Sequence, residues 1–263
     1  MKKIILILIF VTLHSFAQEK DFVLGKIETI NSLELNENRI LNIYLPAGYS
    51  EKDSYPVIYL LDGSANEDFI HIVGLVQYCN FEWVNLVPKS IVVGIENVDR
   101  KRDFTYPTTV EKDKKDYPTT GGSEKFISFI EKEVQPFIEK KYKTTSSKTI
   151  IGQSLGGLLA TEILLKKPNL FSNYIIISPS LWWNKESLLK QVPEFLNSHF
   201  NQKTKVFIGV GNEGKIMVND AGNLFEMIKN KSMINAKYNY FEDKNHGDIL
   251  HTAVFKAFEI LKL

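Results

Sequence analysis

The residues with the clearest capacity for chemistry are a serine, a carboxylate and a histidine that follow one another along the chain. Residues 149–160 read TIIGQSLGGLLA, a GxSxG pentapeptide from Gly152 to Gly156 set between a β-branched run and an amphipathic stretch. A serine on such a strand-to-helix turn is exposed at the end of its strand, and glycines two residues to either side let strand and helix approach closely. The first free amide of the helix, that of Leu155, can then donate to charge developing on a substrate carbonyl. A serine hydroxyl is a weak nucleophile unaided. A base and an orienting acid are needed from later in the chain, in the order Ser, Asp or Glu, His.

Beyond residue 17 the chain has four histidines, His71, His199, His246 and His251. Only His246 falls in a loop, Glu242 to Asp248, between a strand-like run at Tyr238 to Phe241 and a terminal helix. His71 precedes Ser154, His199 lies in a helical or post-helical segment, and His251 is inside the last helix. His246 is therefore the candidate base. Glu213 closes the apolar run Val206 to Val210 with a Gly-Asn-Glu turn, a place from which a carboxylate projects toward the base. It is the first choice of acid, with Asp220, Asp243, Asp248 or a Ser–His dyad as alternatives. A second oxyanion donor is expected after an early central strand, at Gly63 and Ser64 in LLDGSAN, where an ordinary Asp-Gly turn is the competing reading.

These residues need a frame. Val23 to Ile30 and Ile40 to Leu45 read as opening strands. Val57 to Leu61, Ile91 to Ile95, Thr149 to Ile151, Tyr174 to Ser178 and Val206 to Val210 are near-continuous apolar runs of the kind buried on both faces of a parallel sheet. Helical periodicity covers Glu124 to Tyr142, with a kink expected at Pro136, then Leu155 to Lys166, Asn219 to Lys229 and Ile249 to Leu261. Strands alternating with helices, with no Pro/Gly-rich linker, predict a single doubly wound α/β domain. Residues 96–122 have no convincing periodicity, are dense in charge and repeat YPTT at 106–109 and 117–120. A stretch of that length leaving the carboxyl end of a strand is expected to border the substrate pocket.

With 263 residues, 44% hydrophobic and 24% charged, the composition is that of a globular protein. The 32 basic and 31 acidic residues nearly cancel, which disfavours a dedicated nucleic-acid binder. One cysteine, Cys79, excludes an internal disulfide and a cysteine-based zinc or iron–sulfur centre; it is expected to pack as a small hydrophobe. Residues 1–17, MKKIILILIFVTLHSFA, have the layout of a cleavable secretory signal, with Gln18 as the mature N-terminus and a periplasmic or secreted destination. Cleavage leaves 30 basic against 31 acidic residues, and no stable membrane span is expected in the product.

Taken together, these segments resemble the esterase family of α/β-hydrolases that includes enterochelin and salmochelin esterases and related carbohydrate-ester hydrolases. The resemblance is carried by YLLDGSANEDF at 59–69, IVVGIENVDRKRDFTYP at 91–107, GGSEKFISFIEKEVQPFI at 121–138, TIIGQSLGGLLA at 149–160, SPSLWW at 178–183 and NHGDIL at 245–250. It implies a single-domain α/β-hydrolase fold over 18–263, with a mostly parallel sheet and helices on both faces. It further implies Ser154 as nucleophile, His246 as base, and the Asp62-Gly63 loop with the Leu155 amide at the oxyanion hole. Relatives often carry serine after His-Gly where this chain has Asp248, and their acid varies.

The expectation is an exported serine esterase acting on a small-molecule or carbohydrate-linked acyl ester, a siderophore ester or a feruloyl or acetyl sugar, by a ping-pong route without metal or cofactor. Acyl transfer and a ligand-binding module without turnover are the alternatives. For substrate, Arg100 and Arg102 offer bidentate contacts to an anion or pair with Asp99 and Asp103. Trp182 and Trp183 stand at the mouth, one as a ring platform and the other as core, or both as core.

Overall fold

The structure is a computed structural model that describes residues 19–195 and 200–263. The expected signal at 1–17, and His199, lie outside the described residues. One eight-stranded sheet runs in the order β1-β2-β4-β3-β5-β6-β7-β8. Its strands are β1 (Lys26–Ser32), β2 (Glu37–Tyr44), β3 (Tyr55–Leu60), β4 (Ile91–Ile95), β5 (Thr144–Gln153), β6 (Asn173–Ile177), β7 (Thr204–Gly211) and β8 (Ile234–Phe241). β1 and β2 pair antiparallel, as do β2 and β4; from β4 to β8 the ladder is parallel.

The apolar runs are buried on both sides, as their composition demands. On one face Val57, Tyr59, Val93, Ile150, Ile176, Val206 and Ile208 join a core with Phe126, Phe129, Leu158 and Leu159. On the other, the alternate residues Ile58, Leu60, Val92, Ile151, Ile175, Ile177 and Phe207 pack against α1 (Phe69–Cys79) and α9 (Ile249–Leu261). Cys79 is fully buried in that second cluster. Each strand with a period of two thus supplies both cores.

Between β4 and β5 the chain forms two short helices, α2 (Arg100–Asp103) and α3 (Glu111–Asp116), and then α4 (Ser123–Phe129), a π-helical turn (Ile130–Val134) and α5 (Gln135–Lys141). The irregular segment expected over 96–122 therefore carries two helical turns. Neither has an apolar stripe, so neither shows a period. The kink expected at Pro136 takes the form of that π turn: Pro136 cannot donate to the carbonyl four residues back, and one wider turn absorbs the lost bond. α6 (Leu155–Lys166), α7 (Trp183–Phe195) and α8 (Lys215–Ile228) complete the set, α7 interrupted by left-handed residues at Asn184, Lys185 and Glu186.

The strand order matters for function. From β3 the chain crosses to β4 on one side and then returns to β5 on the other, so the direction of winding reverses between β3 and β5. Open α/β sheets bind ligands at the carboxyl end of such a switch point, because the two connections diverge there and leave a crevice. Ser154 follows the end of β5, and Asp62 to Ser64 follow the end of β3. No helix among the described residues is long and apolar enough to cross a membrane.

Candidate active site

Ser154 joins β5 to α6 with φ 60° and ψ −119°, a conformation that a residue with a side chain holds only under constraint. The constraint is visible. The Ser154 amide donates to the Ile177 carbonyl at 3.0 Å, and its own carbonyl accepts from Leu158 at 2.9 Å and Ser180 at 3.0 Å. Gly152 is the tight position of the pentapeptide, since a Cβ there would lie 2.4 Å from the Gly156 carbonyl oxygen; at Gly156 a Cβ would make only ordinary contacts. The turn places the hydroxyl at the N-terminus of a twelve-residue helix, where it meets Ser180 Oγ at 3.4 Å.

His246 stands in the short loop before α9. Its Nδ1 lies 2.5 Å from Glu213 Oε2, and Glu213 Oε1 accepts from Ser178 Oγ at 2.5 Å and from the Gly211 amide at 3.0 Å. Burial alone would raise the Glu213 carboxyl, but the hydrogen bonds from His246, Ser178 and Gly211 outweigh it and hold the group below its ordinary 4.5. A carboxylate that stays ionised and fully engaged fixes the tautomer and plane of the imidazole. The His246 loop is set by Gln153 Nε2, which donates to the His246 carbonyl at 2.5 Å, and by Asp248 Oδ1, which accepts from the Asn245 amide at 2.7 Å. Asp248 thus caps the histidine loop.

Ser154, His246 and Glu213 line one open cleft of about 500 Å³ together with Tyr117, Ser180, Trp182, Asn212, Met217 and Asn245. Among the described residues no hydrogen bond joins Ser154 to His246, a gap such pairs commonly close once substrate is seated. The other acids considered from the sequence sit elsewhere. Asp243 is exposed beside Lys244, Asp248 serves the loop, and Asp220 is buried on α8 near Glu186.

On the oxyanion side, the Leu155 amide at the start of α6 has no hydrogen-bond acceptor among the described residues, nor does the amide of Ser64. Gly63 requires a correction: its N–H is taken by the Ile95 carbonyl at 3.0 Å, so it does not donate to a ligand. Its contribution is space, since a Cβ there would lie 2.4 Å from Gly94 Cα. The substrate candidates also divide. Trp182 lines the cleft, whereas Trp183 is fully buried, with Nε1 donating to the Tyr106 carbonyl at 2.9 Å. Arg102 is corrected to a structural ion pair: its guanidinium engages Asp103 at 2.7 Å and Glu37 at 2.5 Å. Arg100 pairs with Asp62, not with Asp99 or Asp103. Asp99 instead caps α2, accepting from the Arg102 amide.

Met217 lies in no motif, and Ser178, Ser180 and Asn245 lie in the SPSLWW and NHGDIL segments without a role that the residue order alone assigns. Ser178 and Ser180 have a faint signal, a Ser-Pro-Ser following the strand next to that of Ser154. Tyr117, from the second YPTT, brings the 96–122 segment to the cleft, its ring 6.2 Å from that of Trp182.

Asp220 offers a test of the electrostatics. Burial, with Glu186 nearby, pushes its carboxyl up to about 6, and Oδ2 has no partner among the described residues. A raised acid destabilises the fold where it is ionised, and stability recovers as pH falls from about 6 toward its unfolded value of 3.8. Glu213 has the opposite sign: its contribution is present above 4.5 and is lost as pH falls through its lowered folded value. Asp220→Asn is therefore expected to raise Tm at pH 8, with the gain shrinking toward pH 4. Equal melting of both proteins at pH 8 would contradict the assignment.

The chain is similar to known proteins along most of its length. Residues 32–249 match the family described as "Putative esterase". Ferri-bacillibactin esterase BesA of Bacillus subtilis is 34% identical over 244 residues, 84% of each chain. Among solved structures, the BES protein from Bacillus cereus superposes with a TM-score of 0.82 at 29% identity, covering 94% of this chain and 99% of that one. An IroE-like serine hydrolase from Shewanella oneidensis gives 0.82 at 28%, covering 90% and 79%. With the family match spanning residues 32–249 and an α/β-hydrolase sheet beneath it, the chain belongs to this esterase family.

Proposed function

We propose that the protein is an exported serine esterase that hydrolyses a siderophore ester. The observation that supports the chemistry is the meeting of Ser154, His246 and Glu213 in one cleft at the switch point of the sheet. Ser154 attacks the ester carbonyl while His246 Nε2 takes its proton, and the amides of Leu155 and Ser64 donate to the oxyanion. His246 returns the proton to the departing alcohol. In the second half, water attacks the acyl-enzyme with His246 again as base, and Ser154 leaves with a proton restored. Glu213 keeps its charge throughout and stabilises the imidazolium.

The siderophore substrate is drawn from the relative named a ferri-bacillibactin esterase, matched over 84% of both chains. The open cleft suits a bulky ester, and Tyr117 and Trp182 give it an aromatic wall. Export rests on the layout of residues 1–17. The substrate is tested by incubating the enzyme with a cyclic tri-ester siderophore and with a feruloylated sugar. The expected result is ring opening, with the mass gain of one water per ester cleaved, at a kcat/KM well above that on the sugar. Turnover of the sugar ester alone would overturn it. For export, N-terminal sequencing of the protein from its native host is expected to begin at Gln18, and Met1 would count against it.

A further inference from the structure

Arg100 begins α2, yet its guanidinium reaches back to both halves of the oxyanion site. Nε donates to Asp62 Oδ1 at 2.6 Å and Nη2 to Asp62 Oδ2 at 2.9 Å, and Nη2 also reaches the Gln153 carbonyl at 3.2 Å. A two-pronged pair fixes the plane of the carboxylate as well as its position. Asp62 needs that hold, because its φ of 55° lies in the left-handed region. Asn97 Nδ2 adds a bond to Asp62 Oδ1 at 2.7 Å and one to Glu67 Oε2 at 3.3 Å, and Ser64 Oγ donates to Glu67. The unengaged Ser64 amide therefore sits inside a closed set of bonds. That set is tied to the carbonyl of Gln153, the residue just before Ser154.

We infer that Arg100 is a positioning residue: it locks the Ser64 amide against the Ser154 elbow, so that this amide and that of Leu155 form a two-donor hole. The inference rests on Ser154 acting as nucleophile in ester hydrolysis. A direct role in gripping an anionic substrate is disfavoured by the surroundings. The Arg100 charge is already neutralised by Asp62, and Glu67 and Asp68 add negative potential there. Burial first, and then Asp62 and Glu67, push the Asp68 carboxyl up to about 6 against the opposing pull of Arg100.

The test compares Arg100→Met, Arg100→Lys and Asp62→Asn on p-nitrophenyl butyrate, on the anionic p-nitrophenyl hemisuccinate, and in inhibition by an alkyl trifluoromethyl ketone, which forms an oxyanion on the serine. Arg100→Met is expected to lower kcat by about 10- to 100-fold on both esters, with KM changed by less than about twofold, and to weaken the ketone by a similar factor. Asp62→Asn, which breaks the same fork, is expected to reproduce the loss, and Arg100→Lys to recover part of it. A KM increase confined to the anionic ester would overturn the inference, as would lower thermal stability with kcat and ketone affinity unchanged. If Arg100→Met fails to fold, Arg100→Lys and Asp62→Asn carry the same comparison. Absence of esterase activity in the wild type would be seen first and would sink the esterase function itself.

Discussion

Ser154→Ala is expected to lower kcat on p-nitrophenyl butyrate by about 10³-fold or more while the protein keeps its fold. The substitution removes one oxygen and keeps the Cβ. The bonds that hold the strained turn all belong to the backbone, from Ile177, Leu158 and Ser180, and they survive. Among the described residues, the hydroxyl takes with it only the long hydrogen bond to Ser180 Oγ. The Leu155 and Ser64 amides remain, so a small residual rate above the uncatalysed one is expected. Circular dichroism and Tm separate this from unfolding, and a variant with wild-type kcat would move the nucleophile elsewhere.

Glu213→Gln is expected to lower kcat by about 10²- to 10⁴-fold with little change in KM. The reason lies in the donors around the carboxylate. Oε1 accepts from Ser178 and the Gly211 amide, and Oε2 meets His246 Nδ1. An amide has only one acceptor end. If its oxygen stays with the Gly211 N–H, its NH₂ faces His246 and forces the imidazole into the tautomer with the proton on Nε2, which cannot accept from the serine. If it flips, the NH₂ opposes the Gly211 N–H. Near-normal kcat in this variant would give the orienting role to another group or to none.

Much of this site is legible in residue order because the chemistry constrains it locally. Ser154 needs a glycine at 152 for a backbone approach that the structure shows to be tight, and Glu213 and His246 lie just past the ends of β7 and β8. The features that escape such a reading depend on partners distant in sequence. The Gly63 amide continues the hydrogen bonding between the β3 and β4 ends, and its partner Ile95 is invisible from the Asp-Gly pattern. Arg100 passes over its acidic neighbours to reach Asp62, 38 residues earlier, because α2 turns it toward the switch point. β1 begins at Lys26, not Val23, since its register follows β2, down to a polar Asn31–Asn38 pair. The short helices of 96–122 have no buried stripe to give them a period, and α3 has no buried residue at all.

The nucleophilicity of Ser154 is measured most directly by covalent labelling with a fluorophosphonate, read by intact mass and peptide mapping. Phosphonylation needs a serine activated by a base and an oxyanion hole to receive the charge, and it is independent of the natural substrate. The expected result is a single adduct on the peptide containing Ser154, absent from Ser154→Ala and formed more slowly in Glu213→Gln. A wild-type protein that stays unlabelled, or one labelled at another residue with Ser154→Ala modified as fast, would contradict it.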